Sequence, residues 1–451
     1  MKFILSLLTL TISCAISALE PVDLEPVDLE PVSIIYMIGD GMGPAYTSAY
    51  RYYIDNPNTE VIEQTIFDEL LVGMASTYPR DNTLVTDSAA AATALATGYK
   101  TNNGIVGLGP DLTPLLTLLE RAKELGYNTG LVVTSQVNHA TPASFIAHID
   151  SRNKYNEIAD QYLDHRIASR LKIDLMLGGG LMYFQRKDRN LLAEFDELGY
   201  QIITDYRKLV SLKTLPVIGL FAPKGMQHAI DSDDKIRLAT MTNKALSLLD
   251  EKPFFLLVEG SQIDWCGHSN DIACAMAEVH DFAEALKVAK QYVEQHPNTL
   301  LVATADHSTG GLSLGSNGKY LWQASIVREI HASAKSLTKT LLASPNTWQN
   351  IWLRETKISL SPKSQEDFQT AIDAWDAILK TEGKNNLIEK KVSAIQQIVI
   401  KLINQHSHTG WTSNGHTADD VQIFSMGRSR ELFFGSMDNT DIAKKIFTIL
   451  E

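Results

Sequence analysis

Short runs of apolar residues recur along the chain and predict buried strands. They lie at residues 32–38, 130–134, 254–258, 300–303 and 421–426. Between them, apolar residues recur at the spacing of helices that pack one face on a core, at residues 115–125, 235–249 and 271–293. Because strands alternate with helices, we predict an α/β fold with a mostly parallel central sheet and helices on both faces.

One stretch, from residue 321 to residue 405, breaks this alternation. Its pattern is nearly all helical, with amphipathic segments at residues 368–379 and 388–403 and no clear strand. We interpret it as a crown-like helical insertion in a single core formed by residues 32–320 and 406–451. The alternative is that the stretch only adds two or three covering helices to that core.

Composition narrows the classes of function. The chain has 451 residues, and its 53 acidic against 40 basic side chains give a formal net charge of −13. This balance predicts no nucleic-acid-binding surface, because binding to a phosphate backbone needs a basic face. An anionic substrate would have to be attracted locally, by bound cations or a few arginines.

The N-terminus has the pattern of a secretory signal. Lys2 precedes an apolar run at residues 3–12, and small residues follow as far as Ala18. We predict a signal peptide at residues 1–18, cleaved near residues 17–18, and therefore a periplasmic or secreted protein. The run is shorter than the ~20 residues of a spanning helix, so no stable membrane anchor is expected. An N-terminal anchor and lipid attachment at Cys14 are the alternatives.

The acidic, proline-containing repeat at residues 19–31 is predicted to be a spacer. Once the signal is removed, only Cys266 and Cys274 remain of the three cysteines. They lie eight positions apart in what reads as the start of a helix, a rise of about 12 Å. That is too far for a disulfide if both are helical, so we predict two free thiols.

Three acidic residues follow three of the predicted buried strands. Asp40 comes after the first strand, Glu259 directly after the run at residues 254–258, and Asp306 after the run at residues 300–303. Ligands bind at the carboxyl ends of strands in open α/β sheets. Any one of these acids alone would more commonly be a helix cap or a turn residue, but three together favour a functional site.

Histidines close to these acids indicate metal chemistry. Asp264 and His268 are four positions apart, so that both can reach one ion from a helical turn or a tight loop. Asp306 and His307 are adjacent at a strand end. Carboxylate and imidazole together suit zinc, and two such groups suggest a two-metal site. His416 could complete one of the sets, although it is uninformative by itself.

Asp87 and Ser88 open an alanine-rich segment that is predicted to be a helix. A serine at a helix start lies near free backbone N–H groups and the positive end of the helix dipole. Because the same N–H groups bind phosphate oxygens, Ser88 is a candidate nucleophile for attack on an anion. The alternative is an ordinary helix cap. No histidine or lysine lies nearby in the sequence to act as a base, and metal activation would remove that need.

Six short segments together resemble the alkaline phosphatase family. They lie, in that family's order, at residues 40–43, 86–90, 97–104, 264–268, 305–307 and 415–417. The resemblance extends from residue 32 to residue 451 and is weakest in the helical stretch. It implies a zinc ion bound by Asp264, His268 and His416, a second zinc bound by Asp40, Asp306 and His307, and a third ion, usually magnesium, bound by Asp40, Thr141 and Glu259.

The same resemblance gives Ser88 and Arg152 their roles. Ser88 would be the nucleophile that takes the phosphoryl group, and Arg152 would bind two phosphate oxygens in a fork. Two cations can stabilise the attacking and leaving oxygens of an in-line displacement. Phosphoryl transfer requires mainly this positioning and charge neutralisation.

Two positions depart from the enteric bacterial pattern of the family. His139 stands where that enzyme type has an aspartate near the third metal, and Trp265 stands where it has a lysine. Both variants resemble other members, and the Asp264–Trp265 pair is similar to the marine Vibrio-type enzymes. The departures leave the identity of the third ion open, and both side chains could equally be packing residues. His148 and His408 are interpreted as structural.

We therefore expect an exported enzyme that hydrolyses phosphate monoesters to inorganic phosphate at alkaline pH through a phosphoserine. The resemblance also implies a homodimer. Within enzymes, the alternative is a hydrolase of phosphodiesters, phosphonates or sulfate esters on the same scaffold. Outside enzymes, it is a metal-binding surface-interaction protein that docks through the helical stretch. The presence of Ser88 and Arg152 argues against that last reading, because metal storage needs neither.

Overall fold

The structure, a computed structural model, describes residues 30–167, 169–381 and 386–451. Residues Val32–Glu451 form one compact unit. The predicted signal peptide, and all but the last two residues of the predicted spacer, lie outside the described residues. Among the helices of the described ranges, none combines the length and the apolar character that crossing a membrane requires.

The described ranges contain sixteen strands, ten of which form a single sheet. The strands are β1 (Ser33–Ile38), β2 (Leu71–Ser76), β3 (Asn128–Gln136), β4 (Arg166–Ile167), β5 (Arg170–Leu171), β6 (Leu175–Gly179), β7 (Gln201–Ile203), β8 (Val217–Leu220), β9 (Phe254–Glu259), β10 (Thr299–Thr304), β11 (Ser308–Thr309), β12 (Ser313–Leu314), β13 (Thr409–Gly410), β14 (His416–Thr417), β15 (Val421–Gly427) and β16 (Gly435–Asp438). The sheet has the order β16-β2-β15-β10-β1-β9-β3-β6-β8-β7. Within it, β15 is antiparallel to both neighbours, and the other pairs are parallel.

Helices make up most of the remaining regular structure. They are α1 (Pro44–Ile54), α2 (Ile66–Leu70), α3 (Ser88–Thr97), α4 (Leu118–Glu124), α5 (Ala140–Ala143), α6 (Tyr155–Asp164), α7 (Leu181–Phe184), α8 (Leu191–Glu197), α9 (Arg237–Leu249), α10 (Gln262–His268), α11 (Ile272–Gln295), α12 (Ala324–Arg328), α13 (Ala334–Ala343), α14 (Trp348–Thr356), α15 (Pro362–Thr381), α16 (Asn386–Ser407) and α17 (Asn439–Leu450). Three short 3-10 turns lie at Tyr206–Ser211, Ala229–Asp231 and Arg430–Phe433.

A large, mostly parallel sheet accompanied by helices confirms the predicted fold class. The five predicted strands are β1, β3, β9, β10 and β15, and the three predicted helices are α4, α9 and α11. The central strands were predictable because helices cover both faces of a parallel sheet, so that such a strand is a nearly continuous apolar run. All six residues of β9 and of β10 are buried.

The strands that the pattern missed are short, glycine-containing or partly exposed. β2 contains Gly73 and begins on an exposed residue, β8 has four residues, and β16 begins with two exposed residues. A half-exposed edge strand does not show the continuous apolar run of a central strand.

Residues 321–405 are helical, as their pattern indicates, and form α12 to α16. The described part of this stretch contains no strand. The start of α13 is bonded to other parts of the unit, because the Ser333 N–H donates to Asp231 Oδ1 at 2.9 Å and the Ala334 N–H donates to Asp271 Oδ2 at 2.6 Å. That these helices form a distinct crown-like insertion stays a prediction.

The prediction of two free thiols is wrong. Cys266 and Cys274 form a disulfide, with their Cα atoms 5.5 Å apart. The prediction assumed one continuous helix, whereas Cys266 lies in α10 and Cys274 in α11. The chain reverses between them at Asn270, which has a φ of 54°, and this turn brings the two helix ends together.

Three adjacent strands at the centre of the sheet, β10, β1 and β9, position the candidate chemistry. Asp306 follows β10 by two residues, Asp40 follows β1 by two residues, and Glu259 is the last residue of β9. The strands are parallel, with Ile38 of β1 in register with both Thr304 and Glu259. The three carboxylates therefore lie at one edge of the sheet.

Candidate active site and metal-binding groups

The first cluster contains Asp40, Asp306 and His307, whose candidate ligand atoms all lie within 4.8 Å of one another. All three side chains are completely buried. His307 Nε2 is 3.1 Å from Asp306 Oδ2 and 3.5 Å from Asp40 Oδ1. The other Asp306 oxygen, Oδ1, accepts hydrogen bonds from the backbone N–H groups of Gly41 and His307 at 3.0 and 2.9 Å. These bonds direct Oδ2 towards the cluster.

The second cluster contains Asp264, His268 and His416, again with ligand atoms within 4.8 Å. Asp264 and His268 lie one turn apart on α10, and His416 lies on β14. The two histidine Nε2 atoms face each other at 3.1 Å. The Nδ1–H of His268 donates to the Asn414 carbonyl at 2.6 Å, and that of His416 donates to the Thr86 carbonyl at 2.8 Å.

This bonding pattern is a test of whether the second cluster fits a metal. A neutral imidazole with its proton on Nδ1 has a bare lone pair on Nε2. The two Nε2 atoms therefore point at the same place, and the Asp264 carboxylate borders it. Without a cation, the hydrogen bond to Asp264 raises the pKa of His268 to about 9, so a bound cation would displace the proton from its Nε2. Metal-ligating histidines characteristically donate their other N–H to a carbonyl or carboxylate. The donor set fits a divalent cation.

A third cluster contains Asp40, His139 and Glu259. Thr141, which lies two positions after His139 in α5, is completely buried, and its hydroxyl has no hydrogen-bond partner among the described residues. The same holds for Glu259 Oε1, both Asp40 oxygens and His139 Nδ1. Buried polar atoms are normally hydrogen-bonded, so this concentration of unpaired donors and acceptors is what an ion-binding pocket leaves when its ion is removed.

Electrostatics in the clusters also favour bound cations. Burial raises the pKa of Asp40 well above its usual range, and the charges of Asp306 and Asp264 raise it further. Burial raises the pKa of Glu259 to about 8. Burial alone would also raise the pKa of Asp264, but its hydrogen bond to His268 and the charge of His307 hold it below the usual value. Several carboxylates therefore compete for too little positive charge.

His139 and Trp265 lie together at the third cluster. Their rings meet edge to face, with centroids 5.9 Å apart. Burial, followed by the charge of Arg152, lowers the pKa of His139 to about 4. The imidazole is therefore a neutral nitrogen donor near neutral pH.

Ser88 is the first residue of α3 and is buried, with its Oγ 3.1 Å from His307 Nε2. The preceding residue, Asp87, is the helix cap, and its side chain accepts from the Ala90 N–H at 2.9 Å. Asp87 thus performs the capping, which leaves the Ser88 hydroxyl free to face the first cluster. The fold brings His307 next to Ser88 from 219 positions away.

Arg152 lies beside the nucleophile candidate. Its Nη1 donates to Asp87 Oδ2 at 2.9 Å, and its backbone N–H donates to the Gly104 carbonyl at 2.8 Å. The side chain is 19% exposed. The charge of Arg152 opposes the rise in the pKa of Asp40 that burial causes, so the guanidinium acts on the metal-binding clusters as well as on Asp87.

Residue-by-residue reading of the sequence missed several side chains that support the clusters. The Thr309 hydroxyl bonds to Asp264 Oδ1 at 2.5 Å. Asn103 Oδ1 accepts from the Asp87 N–H at 2.8 Å, and the Ser261 hydroxyl donates to Glu259 Oε2 at 2.6 Å. Threonine, asparagine and serine occur throughout the chain, so residue type gives no signal. Only closeness in sequence to His307 and Glu259 could have indicated Thr309 and Ser261, whereas Asn103 lies 16 positions from Asp87 and belongs to the family-like segment at residues 97–104.

His148 makes structural contacts. Its Nδ1–H donates to the Gly107 carbonyl at 2.7 Å, and its Nε2 bonds to Glu120 Oε1 at 2.8 Å. Glu120 is also bonded by the buried ammonium of Lys172 at 2.6 Å. His408 lies at the turn before β13 with a φ of 55°, and its carbonyl accepts from the Gly315 N–H at 3.1 Å.

Comparison with known proteins places this geometry in context. The family model described as alkaline phosphatase matches residues 32–451. Alkaline phosphatase 3 of Bacillus subtilis is 43% identical over 425 residues, covering 93% of this chain and 89% of that protein.

Solved structures of alkaline phosphatases also superpose on this chain. The cold-active alkaline phosphatase of the psychrophile Shewanella sp. superposes with a TM-score of 0.85 at 46% identity, covering 93% of this chain and all of that one. A variant of TAB5 alkaline phosphatase, described with Mg bound in its M3 site, superposes with a TM-score of 0.67 at 25% identity, covering 93% of this chain and 98% of that one.

Proposed function

The chain belongs to the alkaline phosphatase family, and from this premise we propose that it is an exported enzyme that cleaves phosphate monoesters through a phosphoserine at Ser88. Membership makes the chain a metal-dependent phosphatase. The observation that supports the covalent route is the position of Ser88 Oγ, 3.1 Å from His307 Nε2 at the start of α3. A serine held there faces both a cation-binding cluster and the positive end of a helix.

Two zinc ions and a third ion are the proposed cofactors. Asp264, His268 and His416 would hold one zinc, Asp40, Asp306 and His307 the other, and Asp40, Thr141 and Glu259 the third ion. Mixed carboxylate and imidazole donors suit zinc, whereas two carboxylates and a hydroxyl suit magnesium. When bound, these ions supply positive charge that promotes ionisation of the nucleophile and stabilises the leaving oxygen.

We propose that magnesium occupies the third site despite His139. The TAB5 variant with Mg in its M3 site carries a glutamate in place of a histidine, so that relative illustrates magnesium in this fold only with an added carboxylate. The neutral imidazole of His139 adds a nitrogen donor, and nitrogen suits zinc better than magnesium. His139 would therefore weaken the preference for magnesium without removing the oxygen ligands that favour it.

The reaction follows from the positions of the chain's own groups. Arg152 binds two oxygens of the substrate phosphoryl group and turns phosphorus towards Ser88. Ser88 Oγ gives up its proton and attacks in line, so that the Oγ–P bond forms as the bond to the leaving oxygen breaks, and that oxygen takes up a proton and leaves as the alcohol. Water then attacks the phosphoserine, the Oγ–P bond breaks, one proton of the water passes to Ser88 Oγ, and inorganic phosphate leaves.

The start of α3 contributes to each of these steps. Backbone N–H groups at a helix N-terminus carry partial positive charge and favour anions. Because Asp87 accepts from the Ala90 N–H, one of these groups is occupied by the cap, and its neighbours stay available to the phosphoryl oxygens. Asp87 also holds Arg152, so the cap and the guanidinium are positioned by the same carboxylate.

Export is proposed from the N-terminal signal pattern. The conditions outside the cytoplasm are oxidising, which favours disulfides, and the Cys266–Cys274 bond is compatible with such a compartment. Detection of the mature chain in the medium or periplasm, with an N-terminus near residue 18, would test the proposal, and an uncleaved cytoplasmic chain would contradict it.

A homodimer is also proposed. A groove of about 1510 Å³ runs between α1, residues 313–325, α16 and residues 409–412. On its lining, Tyr320 is completely exposed, and Ile62 and Leu321 are 51% and 48% exposed. Contiguous exposed apolar side chains commonly mark an interface, and a second copy of the chain is the proposed partner. Tyr320→Asp should shift the sedimenting species towards monomer, and an unchanged dimer would locate the interface elsewhere.

Replacement of Ser88 by alanine tests the proposed function directly. We expect Ser88→Ala to lose nearly all turnover of an aryl phosphate while its zinc content stays at the wild-type level, because the hydroxyl belongs to neither zinc group. The matched control is Ser436→Ala, on an exposed residue of β16, which should leave turnover unchanged. Full activity in Ser88→Ala would contradict the phosphoserine. A wild-type enzyme that cleaves diesters faster than monoesters would contradict the substrate class.

A further inference from the structure

We propose that the Thr309 hydroxyl is a positioning group that couples the two zinc-binding groups to each other, an inference that rests on the proposed function. Thr309 Oγ1 lies 2.5 Å from Asp264 Oδ1 in one group and 3.3 Å from His307 Nδ1 in the other. Thr309 is not itself a candidate ligand, because its hydroxyl is occupied by these two contacts. Through Thr309, the side-chain positions in each zinc-binding group constrain those in the other.

The direction of the two hydrogen bonds follows from their donors and acceptors. A carboxylate can only accept, so Thr309 Oγ1–H donates to Asp264. The hydroxyl has no second hydrogen, so its lone pair accepts from the Nδ1–H of His307. This places a proton on Nδ1 and leaves Nε2, which lies 3.1, 3.5 and 3.1 Å from Asp306, Asp40 and Ser88 Oγ, as the His307 atom that a cation would bind.

Each of the three ligating histidines therefore has its Nδ1 bonded to an oxygen. For His268 and His416 the acceptor is a backbone carbonyl, whereas for His307 it is a side-chain hydroxyl that can be deleted by mutation. Partners of this kind orient metal ligands, and their loss typically lowers metal affinity by about 10- to 100-fold.

The position of Thr309 is fixed from all sides. It is completely buried, its N–H donates to the Gly41 carbonyl at 3.1 Å, and its carbonyl accepts from the Tyr46 hydroxyl at 2.7 Å. A Cβ atom at Gly41 would lie 2.7 Å from Thr309 Oγ1, and one at Gly267 would lie 3.0 Å from its Cγ2. The absence of side chains at these two glycines leaves the space that the threonine fills.

The two zinc-binding groups also meet through strand pairing. Thr309 of β11 is directly opposite His416 of β14, and the rings of His307 and His416 stack with centroids 3.6 Å apart. One residue thus contacts a ligand of each group through its hydroxyl and pairs through its backbone with a third ligand. Loss of the hydroxyl should therefore weaken zinc binding in both groups rather than in one.

Zinc affinity, measured by competition with a chelator on the full chain, tests the coupling. Thr309→Val keeps the shape of the side chain and removes the hydroxyl, and we expect about a 10- to 100-fold loss of affinity at both groups. Thr309→Ser keeps the hydroxyl and should remain within a few-fold of wild type. If the valine variant does not fold, as judged by circular dichroism, Thr309→Ala replaces it. Wild-type affinity in a folded variant that lacks the hydroxyl would overturn the proposal.

A background that lacks one group separates coupling from a purely local effect. His416→Ala removes a ligand of the Asp264 group and leaves the Asp40–Asp306–His307 group intact. In that background, Thr309→Val should still lower zinc affinity at the remaining group by at least about 10-fold. If the remaining group is unaffected, Thr309 serves Asp264 alone and the coupling is refuted.

The readout is metal affinity, so the proposal can fail or succeed separately from the proposed function. A wild-type chain that binds two zinc ions with the expected dependence on Thr309 but does not hydrolyse phosphate monoesters would refute the function and retain the coupling. A wild-type phosphatase whose zinc affinity does not depend on Thr309 would refute only the coupling.

Discussion

Arg152 Nη1 donates to the carboxylate of Asp87 at 2.9 Å, and Asp87 directly precedes Ser88 in the sequence. Asp87 therefore has two tasks, because the other oxygen of the same side chain accepts from the Ala90 N–H at the start of α3. The nucleophile candidate Ser88 and Arg152, which is proposed to bind phosphate, are therefore both positioned by Asp87. Part of the guanidinium's hydrogen-bonding capacity is also directed away from the phosphoryl group.

Asp87→Asn should separate these two tasks. Asparagine caps helices as well as aspartate does, so α3 should keep its start, whereas the charge that orients Arg152 is lost. We expect inorganic phosphate to inhibit the variant more weakly, by about fivefold for a loss of about 1 kcal/mol. The measurement is the inhibition constant for phosphate in an aryl phosphate assay. Asp87→Ala, which also removes the cap, should lose thermal stability in addition.

An unchanged inhibition constant in a folded Asp87→Asn variant would show that Arg152 is held in place without the ion pair. The backbone bond from Arg152 to Gly104 would then be the main determinant of its position.

The disulfide between Cys266 and Cys274 should stabilise the proposed zinc-binding cluster of Asp264, His268 and His416. Asp264 and His268 flank Cys266 on α10, so the bond ties the helix that carries two ligands to the start of α11. Replacing both cysteines by serine should lower the free energy of unfolding by about 2 to 3 kcal/mol and weaken zinc retention. Thermal unfolding with and without a chelator measures both effects.

The wild-type protein under a reducing agent is the matched control for the cysteine variant. Reduction should lower the unfolding temperature of the wild type to that of the double serine variant and leave the variant unchanged. A wild type that is insensitive to reductant would mean that the bond contributes nothing to stability.

Much of the fold could be predicted from sequence because its centre is a parallel sheet. The apolar runs of β1, β9 and β10 have no exposed face to interrupt them, and the acids at their ends stand out for that reason. β16 is the edge strand of the sheet and β2 lies next to it, and both strands are partly exposed. The local pattern therefore loses its signal at the edge.

The site residues likewise fall into pairs that the local sequence could predict and pairs that it could not. Asp264 and His268 could be paired from their spacing, and Asp40, Glu259 and Asp306 from the strands that they follow. Nothing in the local sequence could join His416 to Asp264 or Ser88 to His307, because each pair is brought together only by the fold. The family resemblance supplied the first pairing and the nucleophile role of Ser88, but not its contact with His307. The error at Cys266 has the same origin, since a single turn at Asn270 undid an argument based on helical rise.

The pH dependence of stability should reflect Glu120. Burial alone would raise the pKa of this carboxyl, but its bonds to His148 and Lys172 outweigh that effect and lower the pKa to about 2. A carboxyl with a depressed pKa stabilises the fold above its ordinary pKa, and this stabilisation is lost as the pH falls. At neutral pH the contribution is on the order of 3 kcal/mol.

Glu120→Gln keeps the capping geometry at Thr117 and removes the charge. The difference in the free energy of unfolding between wild type and variant, from urea titrations, should be constant down to about pH 5 and then shrink as the pH falls below about 4.5. A difference that stays constant through the acid range would contradict the assignment of the depressed pKa to Glu120.

Removal of metal should destabilise the protein more at high pH than near neutrality. In the metal-free site, Glu259 has a pKa of about 8 because it is buried, and the pKa of Asp40 is raised for the same reason. A buried carboxyl with a raised pKa destabilises the fold little while it is protonated. As the pH rises through the folded-state pKa it must ionise without a partner, or the protein must unfold, so stability falls between the ordinary pKa and about 8. Bound cations remove this penalty because they pair with the ionised form.

The corresponding measurement is the unfolding temperature of chelated and zinc-loaded protein from pH 6 to pH 9. The gap between the two forms should widen with pH, and re-addition of zinc and magnesium should restore both the unfolding temperature and the turnover of an aryl phosphate. Glu259→Gln provides the control, since a neutral amide in the same place cannot ionise. In that variant the chelated form should lose less stability towards pH 9, and a gap that widens as much as in the wild type would show that Glu259 is not among the groups responsible.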